Sequence, residues 1–264
     1  MRSLHIILGT LSAYLSASVV EATPSFPSCN IPSLSSSSPF SGQKMQRNET
    51  VKPNQPAYYG SSQTALLVMD YFNMLVDMAK DPQRQALIDS VNLLLATARK
   101  NKVPIIHCLI DASIDPPPTS KIYDQWFSAN KPALQANPSL AQEYAEFAPP
   151  ENITHRLESV SHRVAGPRSA FINKSLLPFL REDLGVKSLI LGGIGTSGVV
   201  LGTATQGTDE GFIVSVVKEA VWDPNAQVNQ DLLDVVFPVS AWVVSTEEAV
   251  GYMKNDSEEC DGYL

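Results

Sequence analysis

The chain has 264 residues, of which 44% are hydrophobic and 17% are charged, and its formal net charge is −8. This length and composition are typical of one globular α/β domain with extensions. The acidic balance argues against a basic nucleic-acid-binding surface, so we expect no nucleic-acid partner.

Residues 1–22 have the pattern of a secretory signal peptide. Arg2 gives a short positive start, Leu4 to Val20 form an apolar run, and Ala22 supplies a small residue at the expected cleavage site. A membrane anchor is the alternative, but Ser, Thr, Gly and His interrupt the run. We therefore expect a protein that is secreted or held in the secretory-pathway or vacuolar lumen, with no membrane contact after cleavage.

The segments outside the predicted domain carry features that suit this compartment. Residues 23–60 are rich in Ser and Pro, which predicts a poorly packed N-terminal extension, and 255–264 form a C-terminal tail. Cys29 and Cys260 either pair as a disulfide or stay free, because sequence does not fix their separation. The predicted glycosylation sites are Asn48, Asn152, Asn173 and Asn255, and Asn173 is the least certain of them.

Strands and helices alternate along residues 61–254, which we assign to one domain. The predicted strands are 64–70, 103–110, 157–163, 187–193, 212–217 and 241–244. The predicted helices are 82–100, 175–184, one that ends at Gly211, and 228–236. This alternation predicts an α/β fold with a doubly wound, mainly parallel six-stranded sheet and helices on both faces. Cys108, in the second strand, is expected to be a buried structural thiol.

Residues 111–150 form a long irregular stretch with short helical pieces predicted at 123–127 and 140–147. Loops of this length in compact domains are usually functional, so we interpret it as a pocket lid or a subunit contact.

The glycine-rich turn after the fourth strand is the expected floor of a pocket. Residues 189–192 are a short apolar run that ends in glycine, and glycines and a Thr-Ser pair follow. Thr196 or Ser197 is predicted to cap the next helix. Ligands of open α/β sheets bind beside the carboxyl ends of the strands, which places 193–199 at the pocket.

This turn resembles that of the isochorismatase-like cysteine hydrolases, in which a strand ends in G-V-x-T-x-x-C. The matching residues here are Gly193-Ile194-Gly195-Thr196-Ser197-Gly198-Val199. Asp70-Tyr71-Phe72-Asn73 resembles the family's D-x-Q-N motif, and Ser169-Ala170-Phe171 matches its S-A-F motif. The resemblance covers roughly residues 63–254, and it implies the same doubly wound sheet and a tendency to self-associate.

The resemblance implies an Asp-Lys-Cys triad, of which only the aspartate is present. Asp70 stands at the aspartate position, whereas Ala165 and Val199 occupy the lysine and cysteine positions. An isopropyl group is no nucleophile, so thiol-dependent amide hydrolysis is close to excluded. The family's true isochorismatases also lack the cysteine and hydrolyse a vinyl ether, but they keep the lysine. A carboxyl group that ends a buried strand has a raised pKa, which suits Asp70 to general acid/base work. The alternative is that Asp70 only caps a turn.

Other side chains are expected to line the pocket rather than react. The candidate substrate-binding residues are Tyr71, Phe72, Asn73, His107, Tyr123, Trp126, Arg168, Gly195, Thr196 and Val199. The alternative for His107 is a core histidine whose hydrogen bonds are satisfied by the protein, and the same two alternatives apply to His162. Arginine keeps its proton, so neither Arg163 nor Arg168 replaces the lysine by default. The alternatives left for the two arginines are binding of an anionic or carbonyl-bearing substrate and a solvated surface position, and the surface position is slightly favoured for Arg163. Ser197 is predicted to stabilise the turn.

Three functional hypotheses follow, and none requires a cofactor or a metal ion. The first is an enzyme that uses Asp70 on an apolar, oxygenated small molecule of specialised metabolism, by isomerisation, cyclisation or enol-ether hydrolysis. The second is an inactive pseudo-hydrolase that binds a ligand or a partner. The third is a structural glycoprotein. A small-molecule substrate is the expected partner, and the sequence leaves open whether the chain forms a homo-oligomer.

Overall fold

The computed structural model of the protein describes residues 51–150 and 156–254. The predicted signal peptide and tail, the sequons at Asn48, Asn152 and Asn255, and the pair Cys29 and Cys260 lie outside these ranges. Within the ranges, no helix has the length and apolar character needed to cross a membrane.

Six parallel strands form one sheet in the described part of the chain, in the order β3-β2-β1-β4-β5-β6. The strands are β1 (Thr64–Met69), β2 (Ile105–Ile110), β3 (Glu158–Arg163), β4 (Ser188–Ile194), β5 (Ile213–Trp222) and β6 (Trp242–Val244). The doubly wound fold predicted from the sequence is confirmed, and the sheet is wholly parallel. The strand order reverses between β1 and β4, so these two strands border the topological switch point, where ligands bind in such sheets.

Helices connect the strands. The α-helices are α1 (Asn73–Val76), α2 (Gln83–Lys100), α3 (Tyr123–Gln125), α4 (Lys131–Ala136), α5 (Leu176–Pro178), α6 (Leu201–Asp209), α7 (Ala226–Asp231) and α8 (Thr246–Tyr252). Four single π-helical turns adjoin these helices, at Trp126–Asn130, Phe179–Asp183, Thr196–Val200 and Leu232–Val236. Helix α6 ends as predicted, because Gly211 follows it with a φ of 82° that glycine adopts without strain.

The two faces of the sheet bury separate cores. Successive residues of a strand point to opposite faces. Leu67 and Met69 of β1 pack on the face that α5, α6 and α7 cover, whereas Leu66 and Val68 pack on the face covered by α2 and α8. Asp70 follows β1 at the carboxyl end of the sheet, between these two cores.

Two sequence-based expectations differ from the structure. The stretch 140–147 is not a helix, because only Pro138–Ala141 forms a 3-10 turn and Glu143 pairs with Phe72 in an antiparallel bridge. Residues 51–60, assigned above to the extension, pack on the domain. Pro56 is buried, and the Trp242 indole donates a hydrogen bond to the carbonyl of Asn54.

Candidate functional site

Asp70 lies directly after β1, at the switch point of the sheet. Its backbone N–H donates to the carbonyl of Cys108 on β2, so the strand pairing continues to this residue. Its φ of 55° lies in the left-handed region, which aspartate enters more readily than most residues. The chain therefore turns sharply at Asp70 while its side chain stays enclosed.

The Asp70 carboxylate forms a two-fold ion pair with the guanidinium of Arg163, the last residue of β3. Nη1 of Arg163 lies 2.9 Å from Oδ1, and Nη2 lies 2.5 Å from Oδ2. The third donor, Nε, bonds to the carbonyl of Pro167 at 3.3 Å. The exposed fractions of the two side chains are 6% for Asp70 and 4% for Arg163. The expectation that Arg163 is a solvated surface residue is therefore wrong.

Burial and the ion pair act on the Asp70 carboxyl in opposite directions. Loss of hydration raises the pKa of Asp70 above its ordinary value, and the Arg163 guanidinium opposes this rise through its hydrogen bonds and charge. Arginine stays protonated, so the pair retains a positive partner at every physiological pH. The group is a carboxylate held by a fixed cation and made more basic by burial.

The two residues that the resemblance places at the lysine and cysteine positions are both buried and apolar. Ala165 and Val199 are almost wholly enclosed, and Val199 packs in the core with Met69 and Cys108. Burial raises the pKa of the Cys108 thiol far above its ordinary value, so it remains protonated. The prediction of a buried, unreactive Cys108 is confirmed, and neither Val199 nor Cys108 supplies a nucleophile.

The turn after β4 is held by residues that follow β5. The Ser197 hydroxyl and backbone N–H both bond to Oδ2 of Asp223, at 2.6 and 2.9 Å. Thr196 is fully buried and bonds to the Asn229 side chain. Gly195 is the N-cap, without a side-chain cap, so the expectation that Thr196 or Ser197 caps the helix is wrong. Ser197 does stabilise the turn, through Asp223.

His107 lies inside the protein between two carboxylates. Nδ1 is 2.7 Å from Oε1 of Glu143, and Nε2 is 3.0 Å from Oε1 of Glu158, which Arg99 also contacts. Burial lowers the pKa of His107, but the bonds to Glu143 and Glu158 outweigh it and raise the pKa above 6.5. His107 is a satisfied core histidine rather than a pocket residue, whereas His162 is exposed.

A cavity of about 360 Å³ lies beside the end of β2, between α1 and the segment 126–141. Phe72 and Trp126, two of the candidate lining residues, line it, whereas neither Asp70 nor any residue of 193–199 does. The Trp126 indole N–H donates to Asp115, which also accepts from Lys131, so these three side chains fix the wall. Part of the stretch 111–150 thus lines a cavity, and its interpretation as a pocket lid or a subunit contact stays a prediction.

The remaining predicted lining residues lie elsewhere. Tyr71 is buried in the core, where its hydroxyl donates to the carbonyl of Ala220. Tyr123 is half-buried and contacts the Phe127 ring. Asn73 bonds to the carbonyl of Ser139 at the lid. Arg168 is exposed and packs over the glycines that begin α6. Tyr71 and Val199 therefore do not line this cavity, because their strand-end positions turn them into the cores.

Sequence reasoning missed the roles of Arg163, Glu143 and Glu158. Arg163 ends a predicted strand close to Ala165, which was the available signal for a cation beside Asp70. Glu143 and Glu158 are 36 and 51 positions from His107, and no spacing pattern connects them. In the described part of the chain, no group of three or more His, Cys, Asp or Glu side chains is arranged to hold a metal ion.

The fold and the site define an α/β protein whose buried carboxylate lies at the switch point of a doubly wound sheet. The isochorismatase domain family matches residues 64–248, and the chain belongs to that family.

Several solved structures share this fold. An isochorismatase family protein from Burkholderia thailandensis is 20% identical, with a TM-score of 0.57 over 73% of this chain and 96% of that one. A cysteine hydrolase from Pseudomonas syringae pv. phaseolicola is 18% identical, with a TM-score of 0.60 over 79% and 98%. N-carbamoylsarcosine amidase from Thermoplasma acidophilum is 18% identical, with a TM-score of 0.54 over 70% and 97%. No curated protein sequence matches the chain closely enough to serve as a relative.

Proposed function

We propose that the protein is an enzyme that transfers a proton within an oxygenated small molecule, with Asp70 as the general base and no covalent intermediate. The observation that carries this proposal is the enclosed, two-fold ion pair between Asp70 and Arg163 at the switch point. Family membership supports enzymatic activity in general terms. Ala165 and Val199 argue against the family's thiol chemistry.

The ion pair favours one order of proton transfers. Arg163 stabilises the carboxylate, so Asp70 is ionised at rest and accepts a proton from a C–H or O–H group of the substrate. The protonated Asp70 then returns that proton to another atom of the same molecule, which leaves the mass unchanged. Isomerisation and cyclisation follow this order. Enol-ether hydrolysis begins with donation from a protonated acid, which the fixed Arg163 charge disfavours.

A second candidate is ligand binding without turnover, and the enclosure of the ion pair favours it. Both oxygens of Asp70 are bonded to Arg163, and both side chains are almost fully covered. A substrate has to displace or reach this pair before a proton can move. A protein that only binds its ligand has no such requirement.

We also propose that the protein works in a secretory or vacuolar compartment and carries N-linked glycans. The signal-peptide pattern of residues 1–22 and the four sequons support this location. A protein there meets secreted or stored metabolites.

The test compares products formed from a metabolite extract of the source organism, measured by mass spectrometry. The parent protein, Asp70→Asn, and Asp209→Asn as a control at an exposed aspartate are incubated in parallel, after circular dichroism has established folding. We expect a product of unchanged mass with the parent and the control, and none with Asp70→Asn. Two smaller products whose masses add up to that of the substrate plus one water indicate enol-ether hydrolysis instead.

Asp70→Asn leaves the Arg163 charge without its partner and can unfold the chain. The double variant Asp70→Asn/Arg163→Gln removes both charges together and carries the same expectation. If the folded variants form product as fast as the parent, the role of Asp70 is wrong. If the parent forms no product but a ligand co-purifies with it, the binding function is correct.

A further inference from the structure

The cavity beside α1 has a composition that restricts what it can bind. Its walls include Phe72, Leu75, Ile110, Leu134 and Leu140, together with alanines of the segment 129–141. Its volume of about 360 Å³ lies in the lower part of the range for small-molecule pockets, roughly 300 to 1,000 Å³. A ligand of one fused ring system or a short branched chain fits this space.

Asn130 is the polar group of this wall. Among the described residues that line the cavity, Trp126 is the other one with a hydrogen-bonding side chain, and its N–H is already donated to Asp115. The Asn130 amide makes no hydrogen bond in the described part of the chain, so its donor and acceptor both remain available to a ligand.

No charged residue lines the cavity among those described. A carboxylate or ammonium group placed there loses its hydration without gaining an ionic partner, which is costly. An uncharged oxygen, by contrast, needs one hydrogen bond, and the Asn130 amide provides it. The aromatic side chains of Phe72 and Trp126 add contact area for a flat ring.

We propose that this cavity binds an uncharged, ring-containing organic molecule that carries one hydroxyl or carbonyl oxygen on an otherwise hydrocarbon skeleton. Asn130 selects for that oxygen. Phe72, which lines the cavity, follows Asp70 by two residues, so one wall of the cavity is next in the chain to the ion-paired aspartate. The assignment of this ligand as the substrate rests on the proposed function, whereas binding itself does not.

The test measures the affinities of three probes for the full mature chain by fluorescence titration at pH 7. The probes are naphthalene, 2-naphthol and 2-naphthoate, which share a ring system and differ in polarity and charge. We expect 2-naphthol to bind most tightly and 2-naphthoate at least a hundredfold more weakly. Asn130→Leu is expected to weaken 2-naphthol by about fivefold and to leave naphthalene unchanged.

Filling the cavity provides the matched control. Ala133→Trp places an indole in the wall and is expected to abolish binding of 2-naphthol and naphthalene. Ala136→Trp, on the same helix but outside the wall, is expected to preserve it.

The proposal is overturned if 2-naphthoate binds as tightly as 2-naphthol, or if Ala133→Trp leaves affinity unchanged in a folded protein. Asp70→Asn is expected to keep probe binding, provided that circular dichroism shows it folded. If the probes bind but the parent protein forms no product from the extract, the cavity stands and the proposed proton transfer falls.

Discussion

Each of the three guanidinium nitrogen atoms of Arg163 donates a hydrogen bond inside the protein, two toward Asp70 and one toward the Pro167 carbonyl. Its replacement by leucine leaves the Asp70 carboxylate buried without a partner. We expect Arg163→Leu to lower the free energy of unfolding by about 3 to 5 kcal/mol, measured by urea denaturation. Arg168→Leu, at an exposed arginine, should change it by about 0.5 kcal/mol or less. A loss below about 1 kcal/mol for Arg163→Leu would show that water reaches Asp70.

The identity of Asp70 as the site carboxylate follows from its motif, but the role of Arg163 does not. Within β3, Val160 is the apolar residue, and it is 39% exposed, whereas Arg163 points inward. Alternation of apolar and polar residues therefore suggests the opposite orientation for this strand. The ion pair with Asp70 holds the Arg163 side chain inward. Local alternation does not record this contact, because Asp70 lies 93 positions earlier in the chain.

At the scale of elements, His107 connects β2 and β3 with the lid through Glu158 and Glu143. The pKa of His107 is raised in the folded state, so its stabilisation is fully present below pH 6.5 and is lost as the pH rises through the folded-state pKa. Burial opposes ionisation of Glu158, but His107 and Arg99 lower its pKa to about 2, so it stays charged.

We therefore expect the stability difference between the parent and His107→Gln to shrink as the pH is raised from 6 to 9. Urea denaturation at several pH values measures it. His162→Gln, at an exposed histidine, is measured in parallel as the matched control. A difference that grows with pH would mean that His107 is neutral in the folded protein.

Helix α8 begins with a capping box, in which the Ser245 hydroxyl accepts from the Glu248 N–H and the Glu248 carboxylate accepts from the Ser245 N–H. Ser245→Ala is expected to lower the free energy of unfolding by about 1 kcal/mol. Ser128→Ala, at an exposed serine, serves as the control. Equal stabilities of the two variants would contradict a contribution from this cap.

β1, β2, β4 and β6 were predicted to within two residues, because their apolar runs are typical of buried parallel strands. β3 was predicted as closely, although Val160 is its one apolar residue. β5 is the exception, since it continues to Trp222 although Lys218 and Glu219 are polar. The supposed helix at 140–147 fails for a tertiary reason. Backbone bonds to residues 71–73 replace the local helical ones there, and sequence periodicity does not record them.

At the scale of the whole molecule, Asn173 is the sequon that lies within the described residues, and its side chain is already hydrogen-bonded. The Asn173 amide donates to the Ser161 hydroxyl, its carbonyl oxygen accepts from the Ser175 N–H, and the residue is half-buried. We expect mass spectrometry of the protein from a secretory host to find glycans at Asn48, Asn152 and Asn255 but not at Asn173. A glycan on Asn173 in every molecule would show that these hydrogen bonds form after glycan transfer.

The segment 126–144 is divided between two tasks. Residues 142–144 bond to the backbone that follows Asp70, whereas residues between 126 and 141 contribute to the cavity wall. Substitutions in the wall can thus diverge between descendants while the ion pair stays intact. A single substitution in the wall can then change the ligand preference without passing through an inactive ancestor. We expect residues 142–144 to accumulate substitutions far more slowly than residues 126–136.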